Sequence, residues 1–310
     1  MKISRILVLI LVLSMVVAGC AANEQPEVTE PVDSNEGSAF EGKYLVNAEY
    51  VKSASGKDNV LLIDARGADA AKEGTVEGAI AVVWQTLADV EGKPGDPMWG
   101  TILEPATLSE TLSNLGISKD KEIIIFGAAQ KGWGDEGRIA WELIAAGFEN
   151  VKMVDGGFAS LSDAELNIVK GAAEPVPAEV VVSEINNAHN INTDALAADY
   201  DSYKVVDVRA DEEYEGEVLY GEANGGYLPG AIHIKYTDLF KEDGTLKSNE
   251  DITKIFADAG LSKDDKIVTY CTAGIRSAYM QLVLEMAGFE NSYNYDESFY
   301  RWSAVNELEK

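Results

Sequence analysis

The chain has 310 residues, a length that suits two domains, and its 46% hydrophobic and 25% charged residues suit a folded protein with real cores. Its 53 acidic side chains against 25 basic ones give a formal net charge of −28. That balance excludes nucleic acid as a partner, and a small anionic substrate would need a local positive group at its site.

Residues 1–19 read as a lipoprotein signal peptide. Lys2 and Arg5 form a charged start, Ile6 to Val17 is an almost unbroken apolar run, and Val17-Ala18-Gly19-Cys20 follows. The run is too short for a comfortable membrane span and has the form of a secretory signal. Val-Ala-Gly-Cys resembles the lipobox of bacterial lipoproteins. The resemblance implies cleavage before Cys20, lipidation of its thiol, and an extracytoplasmic, membrane-anchored place in a bacterial cell envelope. A plain secretory signal and an uncleaved anchor are the alternatives. Residues 20–42 are polar and acidic, carry Pro26 and Pro31, and predict a flexible tether. With Cys20 lipidated, Cys271 is the thiol left over, so no disulfide framework is expected.

Two modules of one design follow, over 43–170 and 183–310, with a linker at 171–182 that carries Pro175 and Pro177. Leu62-Ile-Asp64-Ala-Arg66 matches Val205-Val-Asp207-Val-Arg209. Glu77-Gly-Ala-Ile80 matches Pro229-Gly-Ala-Ile232, and Ala146-Gly-Phe-Glu-Asn150 matches Ala287-Gly-Phe-Glu-Asn291. The order is the same in both halves, which is the mark of a duplication. Short apolar runs predict strands at Val60–Ile63, Ile123–Phe126 and Val151–Val154, then at Lys204–Val208, Ile267–Tyr270 and Ser292–Tyr295. Helical stretches separate them. Strands alternating with helices predict an α/β fold, each half a mostly parallel sheet flanked by helices.

The most reactive segment is Tyr270-Cys271-Thr272-Ala273-Gly274-Ile275-Arg276-Ser277, where a predicted strand hands over to a helix at Arg276–Ala287. A thiol there faces backbone N–H groups, a helix N-terminus and a guanidinium, and all three favour the thiolate. The N–H groups of Thr272, Ala273, Gly274, Ile275, Arg276 and Ser277 can cradle an anionic atom. Gly274 allows the tight turn. Arg276 is expected to grip an anionic head with its fork. Asp207 and Arg209 are expected to brace the loop. With two histidines, His189 and His233, no metal site is expected, and neither a phosphate loop nor a dinucleotide fingerprint occurs.

Together, the Asp-x-Arg at 207–209, the Pro-Gly-Ala-Ile-His at 229–233 and the Cys-x-x-Gly-x-Arg at 271–276 resemble the tandem-domain rhodaneses, the thiosulfate and mercaptopyruvate sulfurtransferases. Tyr295-Asp-Glu-Ser-Phe-Tyr-Arg-Trp302 looks like that family's closing segment, with Glu297 where a glycine is usual. Tyr227 stands where a histidine is frequent. The resemblance implies a non-catalytic first domain and a catalytic second one. It implies no cofactor, a Cys271 persulfide, a small anionic sulfur donor, thiosulfate or a similar compound, and a thiol or cyanide acceptor. Aligning Ile123–Phe126 with Ile267–Tyr270 puts Gly127 opposite Cys271, so the first module has no nucleophile there. Two rival readings are a rhodanese-fold binding or sensing lipoprotein without activity, and an oxyanion phosphatase or arsenate reductase. The latter enzymes use a longer loop, with five residues between cysteine and arginine where this chain has four.

Overall fold

A computed structural model describes residues 38–310; Cys20, the signal segment and most of the tether lie outside the described residues. The first module contains strands β1 (Leu45–Val46), β2 (Val60–Asp64), β3 (Thr75–Val76), β4 (Ile80–Ala81), β5 (Glu122–Phe126), β6 (Val151–Val154) and β7 (Ile168–Val169). Its helices are α1 (Ala48–Ala54), α2 (Gly67–Glu73), α3 (Pro105–Leu115), α4 (Asp135–Ala145) and α5 (Gly157–Asp163). The second contains β8 (Asn190–Ile191), β9 (Lys204–Asp207), β10 (Ile232–His233), β11 (Ile267–Tyr270) and β12 (Ser292–Tyr295). Its helices are α6 (Thr193–Ala198), α7 (Asp211–Tyr214), α8 (Asn249–Asp258), α9 (Ile275–Met286) and α10 (Ser298–Val305).

The strands form two five-stranded sheets, in the orders β1-β6-β5-β2-β4 and β8-β12-β11-β9-β10. Each position in one sheet has its counterpart in the other, and every ladder within them is parallel. The duplication read from the sequence is thus a duplication of topology. Parallel neighbours need crossover connections, and the helices supply them while covering the sheet faces. The central strands are accordingly mostly apolar: Ile123–Phe126 and Ile267–Val268 are fully buried. Each six predicted strand lies within one residue of the observed one at either end, and α9 starts one residue earlier than expected. β1, β4, β8 and β10, at the sheet edges, and the antiparallel pair β3 and β7 are not among the predicted strands. Two residues each is too short to leave a periodic signal.

Helix ends follow local chemistry. Asn47 and Asn192, at equivalent places in the repeat, cap α1 and α6 by accepting from Tyr50 N–H and Ala195 N–H. Pro105 opens α3, and Gly116 closes it with a left-handed φ of 68°.

The two modules share one core. Ile139 and Trp141 of α4 belong to the same buried cluster as Tyr279, Met280 and Val283 of α9. The helices meet at Gly137, where a Cβ would lie 2.4 Å from the Tyr279 ring. The segment after β7 is pinned to the first module. Ala178 N–H donates to Ser113 O, Val180 and Val182 donate to the Ser113 and Ser109 hydroxyls, and both valine side chains are buried.

Candidate active site

β11 ends at Tyr270, Cys271 follows, and Gly274 starts α9 with a left-handed φ of 77°. A Cβ at Gly274 would sit 2.5 Å from Asp296 O, so both the turn and the packing require glycine. Cys271 is 1% exposed. Burial works against its thiolate. The Arg276 charge, the N–H groups of Ser277 and Ala273 and the Ser277 hydroxyl outweigh it, and the thiol sits below its ordinary value. The Ser277 hydroxyl is 3.8 Å from the sulfur and also donates to Asn294 Oδ1 at 2.7 Å.

A loop that turns N–H groups toward a sulfur must turn carbonyls outward, and those carbonyls need donors. α10 supplies most of them. Phe299 N–H and the Ser298 hydroxyl donate to Cys271 O at 3.1 and 3.0 Å, and Tyr300 N–H donates to Thr272 O at 3.0 Å. The Ser298 hydroxyl also accepts from Cys271 N–H at 2.9 Å. Ser298 pays for this position with a φ of 56°, the value that Gly157 has in the first module. Glu297, the departure from the family pattern, stays in right-handed backbone and accepts from Thr193 N–H at 2.6 Å.

Asp207 and Arg209 brace the end of the sheet. Arg209 donates to both Asp207 oxygens and to Gly226 O, and its guanidinium lies 3.9 Å from the Phe299 ring centre. The Tyr270 hydroxyl donates to the same Asp207. The first module repeats the device: Arg66 donates to Asp64 and Gly74 O and stacks 3.5 Å from Phe158.

Arg276 departs from its expected task. Its Nη1 and Nη2 donate to the two carboxylate oxygens of Glu213, each at 2.7 Å, and Nη2 also donates to Thr272 Oγ1 at 3.0 Å. The guanidinium is buried and lies 4.9 Å from the Trp133 ring centre. The fork is filled by the protein, so it is not open to grip a sulfonate-like head. What remains is its charge, which acts on the Cys271 sulfur. Glu213, for its part, is held below its ordinary value: burial pushes it up, but the Arg276 contacts outweigh that.

Glu213 was invisible in the sequence, since it is one acid among many and lies 63 positions before Arg276. The signal available was indirect: a buried arginine demands a buried partner. Arg138 is a second omission. It lies on α4 of the first module, fully buried, and donates to Gly274 O at 3.2 Å, Gly100 O at 2.8 Å, Glu142 at 2.8 Å and Asp296. An arginine inside the apolar pattern Gly137-Arg-Ile-Ala-Trp141 could have drawn notice. The opposite number of Cys271 is confirmed by bonding: Phe158 N–H donates to Gly127 O as Phe299 N–H does to Cys271 O. A Cβ at Gly127 would lie 2.0 Å from Glu136 Oε2, so a glutamate side chain fills the space a cysteine would need.

Above Cys271 opens a cavity of about 240 Å³ walled by Trp84, Trp99 and Trp133 from the first module and Tyr220 and Tyr300 from the second. Trp99 meets Tyr300 edge-to-face at 5.3 Å, and Trp133 meets Tyr220 in the same way at 5.3 Å. A larger cleft of about 670 Å³, between 98–105 and 183–192, has no thiol in its lining and shares no lining residue with this cavity. Among the described residues no cluster of histidine, cysteine and acidic side chains could hold a metal.

This geometry agrees with the comparisons to known proteins. The Rhodanese-like domain family matches twice, at residues 47–164 and 192–305. A putative thiosulfate sulfurtransferase of Mycolicibacterium smegmatis is 29% identical over 243 residues, covering 75% of this chain and 84% of that one. The 3-mercaptopyruvate sulfurtransferase of Escherichia coli is 26% identical over 289 residues, covering 86% and 96%. Among solved structures, wild-type EanB superimposes with a TM-score of 0.76 at 22% identity, over 86% of this chain and 69% of that one, which shows a shared fold. With both domains matched and the relatives aligned over most of their length, the chain belongs to the rhodanese family, as a tandem-domain sulfurtransferase.

Proposed function

We propose that Cys271 carries the transferred sulfur as a persulfide. The Cys271 thiolate attacks the outer sulfur of a sulfane donor; the donor's own S–S bond breaks and its electron pair leaves with the donor remnant. For thiosulfate that remnant is sulfite. The Ala273 and Ser277 N–H groups and the Arg276 charge, which already favour the thiolate, then stabilise the terminal sulfur. An acceptor thiolate, or cyanide in the test tube, takes that sulfur and returns Cys271 to the thiolate. The observation that carries this reading is the buried thiol with a lowered proton affinity at the floor of an aromatic cavity. The names of the relatives support thiosulfate or a similar donor.

The test is thiosulfate:cyanide transfer by the full chain against Cys271→Ser. The wild type should gain one cyanide-labile sulfur on Cys271 and release thiocyanate, and the serine variant should do neither. A wild type that takes up no sulfur from thiosulfate, polysulfide or mercaptopyruvate would leave the binding or sensing reading in its place.

The same proposal includes an extracytoplasmic address through a lipid on Cys20. Its support is the charged start, the apolar run and Val17-Ala-Gly-Cys20. Mass spectrometry of membrane-extracted protein should find Cys20 as an acylated N-terminus; an intact Met1 would refute it.

A further inference from the structure

The charges around the Cys271 cavity are unusual for a site that meets anions. Among the described residues Arg276 is the one cationic side chain on its wall; its charge faces the Cys271 sulfur, and Glu213 occupies its fork with two hydrogen bonds. Behind the Tyr220–Tyr300 wall lies a second acid. Glu222 is 6% exposed; its Oε2 accepts from Tyr220 N–H at 2.8 Å, and its Oε1 meets no donor among the described residues. Tyr300 donates to Tyr220 O at 2.8 Å, which ties that acid to the wall. The Tyr300 phenol is pushed up to about 12, by burial first and then by the Glu222 charge. The five rings add their own negative faces. The thiolate or persulfide on Cys271 is itself an anion.

Resting on the persulfide reading above, we propose that the sulfur acceptor is a small organic thiol bearing a positive charge near its sulfur. The aromatic walls and the Glu222 carboxylate attract such a head, while among the described residues an anionic thiol meets no cation on the wall whose donors are not already taken. The cavity, at about 240 Å³, is below the ~300–1,000 Å³ of pockets that enclose drug-sized ligands, so the entering group is small. The transfer balances without an oxidant or reductant. The acceptor thiolate forms a bond to the outer sulfur of Cys271–S–SH, the inner S–S bond breaks with its pair on Cys271 Sγ, and the proton leaves on the new persulfide. The positive charge offsets the approach of one anionic sulfur to another.

The test uses three thiols of matched reach: thiocholine, 2-mercaptoethanol and 2-mercaptoethanesulfonate. Full-length protein is loaded with excess thiosulfate, and loss of sulfur from Cys271 is followed by mass, with rates expressed per thiolate. Thiocholine should discharge the persulfide about tenfold faster or more than the sulfonate at low salt, with 2-mercaptoethanol between. The ratio should shrink at high salt, in Glu222→Gln and in Trp133→Leu. Choline should likewise slow alkylation of the unloaded Cys271 where isethionate does not, a readout independent of any persulfide. Equal rates, or the reverse order, with normal thiocyanate release would overturn the cation preference and leave the persulfide reading intact. Failure to load or to release thiocyanate would overturn the persulfide reading, and absence of choline protection would then remove the cation preference as well.

Discussion

Cys271 shows how one residue's reactivity divides between local and distant causes. The N–H groups and the hydroxyl that favour its thiolate lie within six positions of it, and so does Arg276. That nearness is why the loop was legible in the sequence. The partner of Arg276 was not, because nothing local distinguishes Glu213 from its acidic neighbours in α7. Arg276→Ala would strand a buried Glu213, at a cost of roughly 3–5 kcal/mol, and would test folding more than chemistry. Changing Arg276 and Glu213 together to glutamine removes both charges and keeps hydrogen-bonding groups in place. The pH midpoint for alkylation of Cys271 should then rise by about one unit, equivalent to ~1.4 kcal/mol. An unmoved midpoint would show that the guanidinium does not govern the thiol. Glu136, under Gly127, makes the opposite case. Burial raises its carboxyl from 4.5 to about 7. A raised carboxyl favours the fold while protonated, so its contribution is complete below pH 4.5 and is lost as pH rises through 7. Glu136→Gln should therefore raise stability at pH 8, on the order of 1–3 kcal/mol, and change little at pH 4.5. Thermal melts at the two pH values check it.

At the scale of elements, the strands were readable because buried parallel strands are short apolar runs bounded by polar turns, and Ile123–Phe126 and Ile267–Tyr270 are of that kind. What no run could reveal is that α4, in the first module, reaches into the Cys271 loop. Arg138 Nη1 donates to Gly274 O, the outward carbonyl at the start of α9, and to Asp296, while Nε and Nη2 hold Glu142 and Gly100 O. An ammonium cannot span those four partners from one place. Arg138→Lys keeps the charge and loses the fork, so Gly274 O keeps only the Ala278 N–H, or Gly100 O loses its Arg138 donor. The expected outcome is a fall in the rate of persulfide formation of about tenfold or more, ~1.4 kcal/mol, with the alkylation midpoint of Cys271 shifted upward. A variant that melts earlier but keeps both rate and midpoint would make Arg138 a fastener of the fold and nothing more.

The whole molecule is a duplication that has become a single functional body. The repeat was plain in the sequence, yet internal similarity says nothing about which surfaces face each other. That depends on Gly137 admitting Tyr279, on α4 and α9 sharing a core, and on Trp84, Trp99 and Trp133 being lent to the other module's cavity. Chain connectivity contributes little to this arrangement, because the interface is buried and the linker is separately fixed to α3 through Ser109 and Ser113. The stretch 174–176, where Glu174 and Val176 are exposed and Pro175 is half-buried, is therefore a place where the backbone can be cut with small consequence. A protease site introduced at Glu174 and then cleaved should yield two fragments that migrate together in gel filtration and still release thiocyanate at a rate close to that of the uncut chain. Addition of moderate urea should separate them and abolish transfer, since the second fragment then lacks three cavity walls and the Arg138 guanidinium that donates to Gly274 O. Fragments that part in native buffer would show that the linker, not the shared core, holds the two modules in register. Active second fragments, freed of the first, would show that the aromatic walls and Arg138 are dispensable for sulfur transfer.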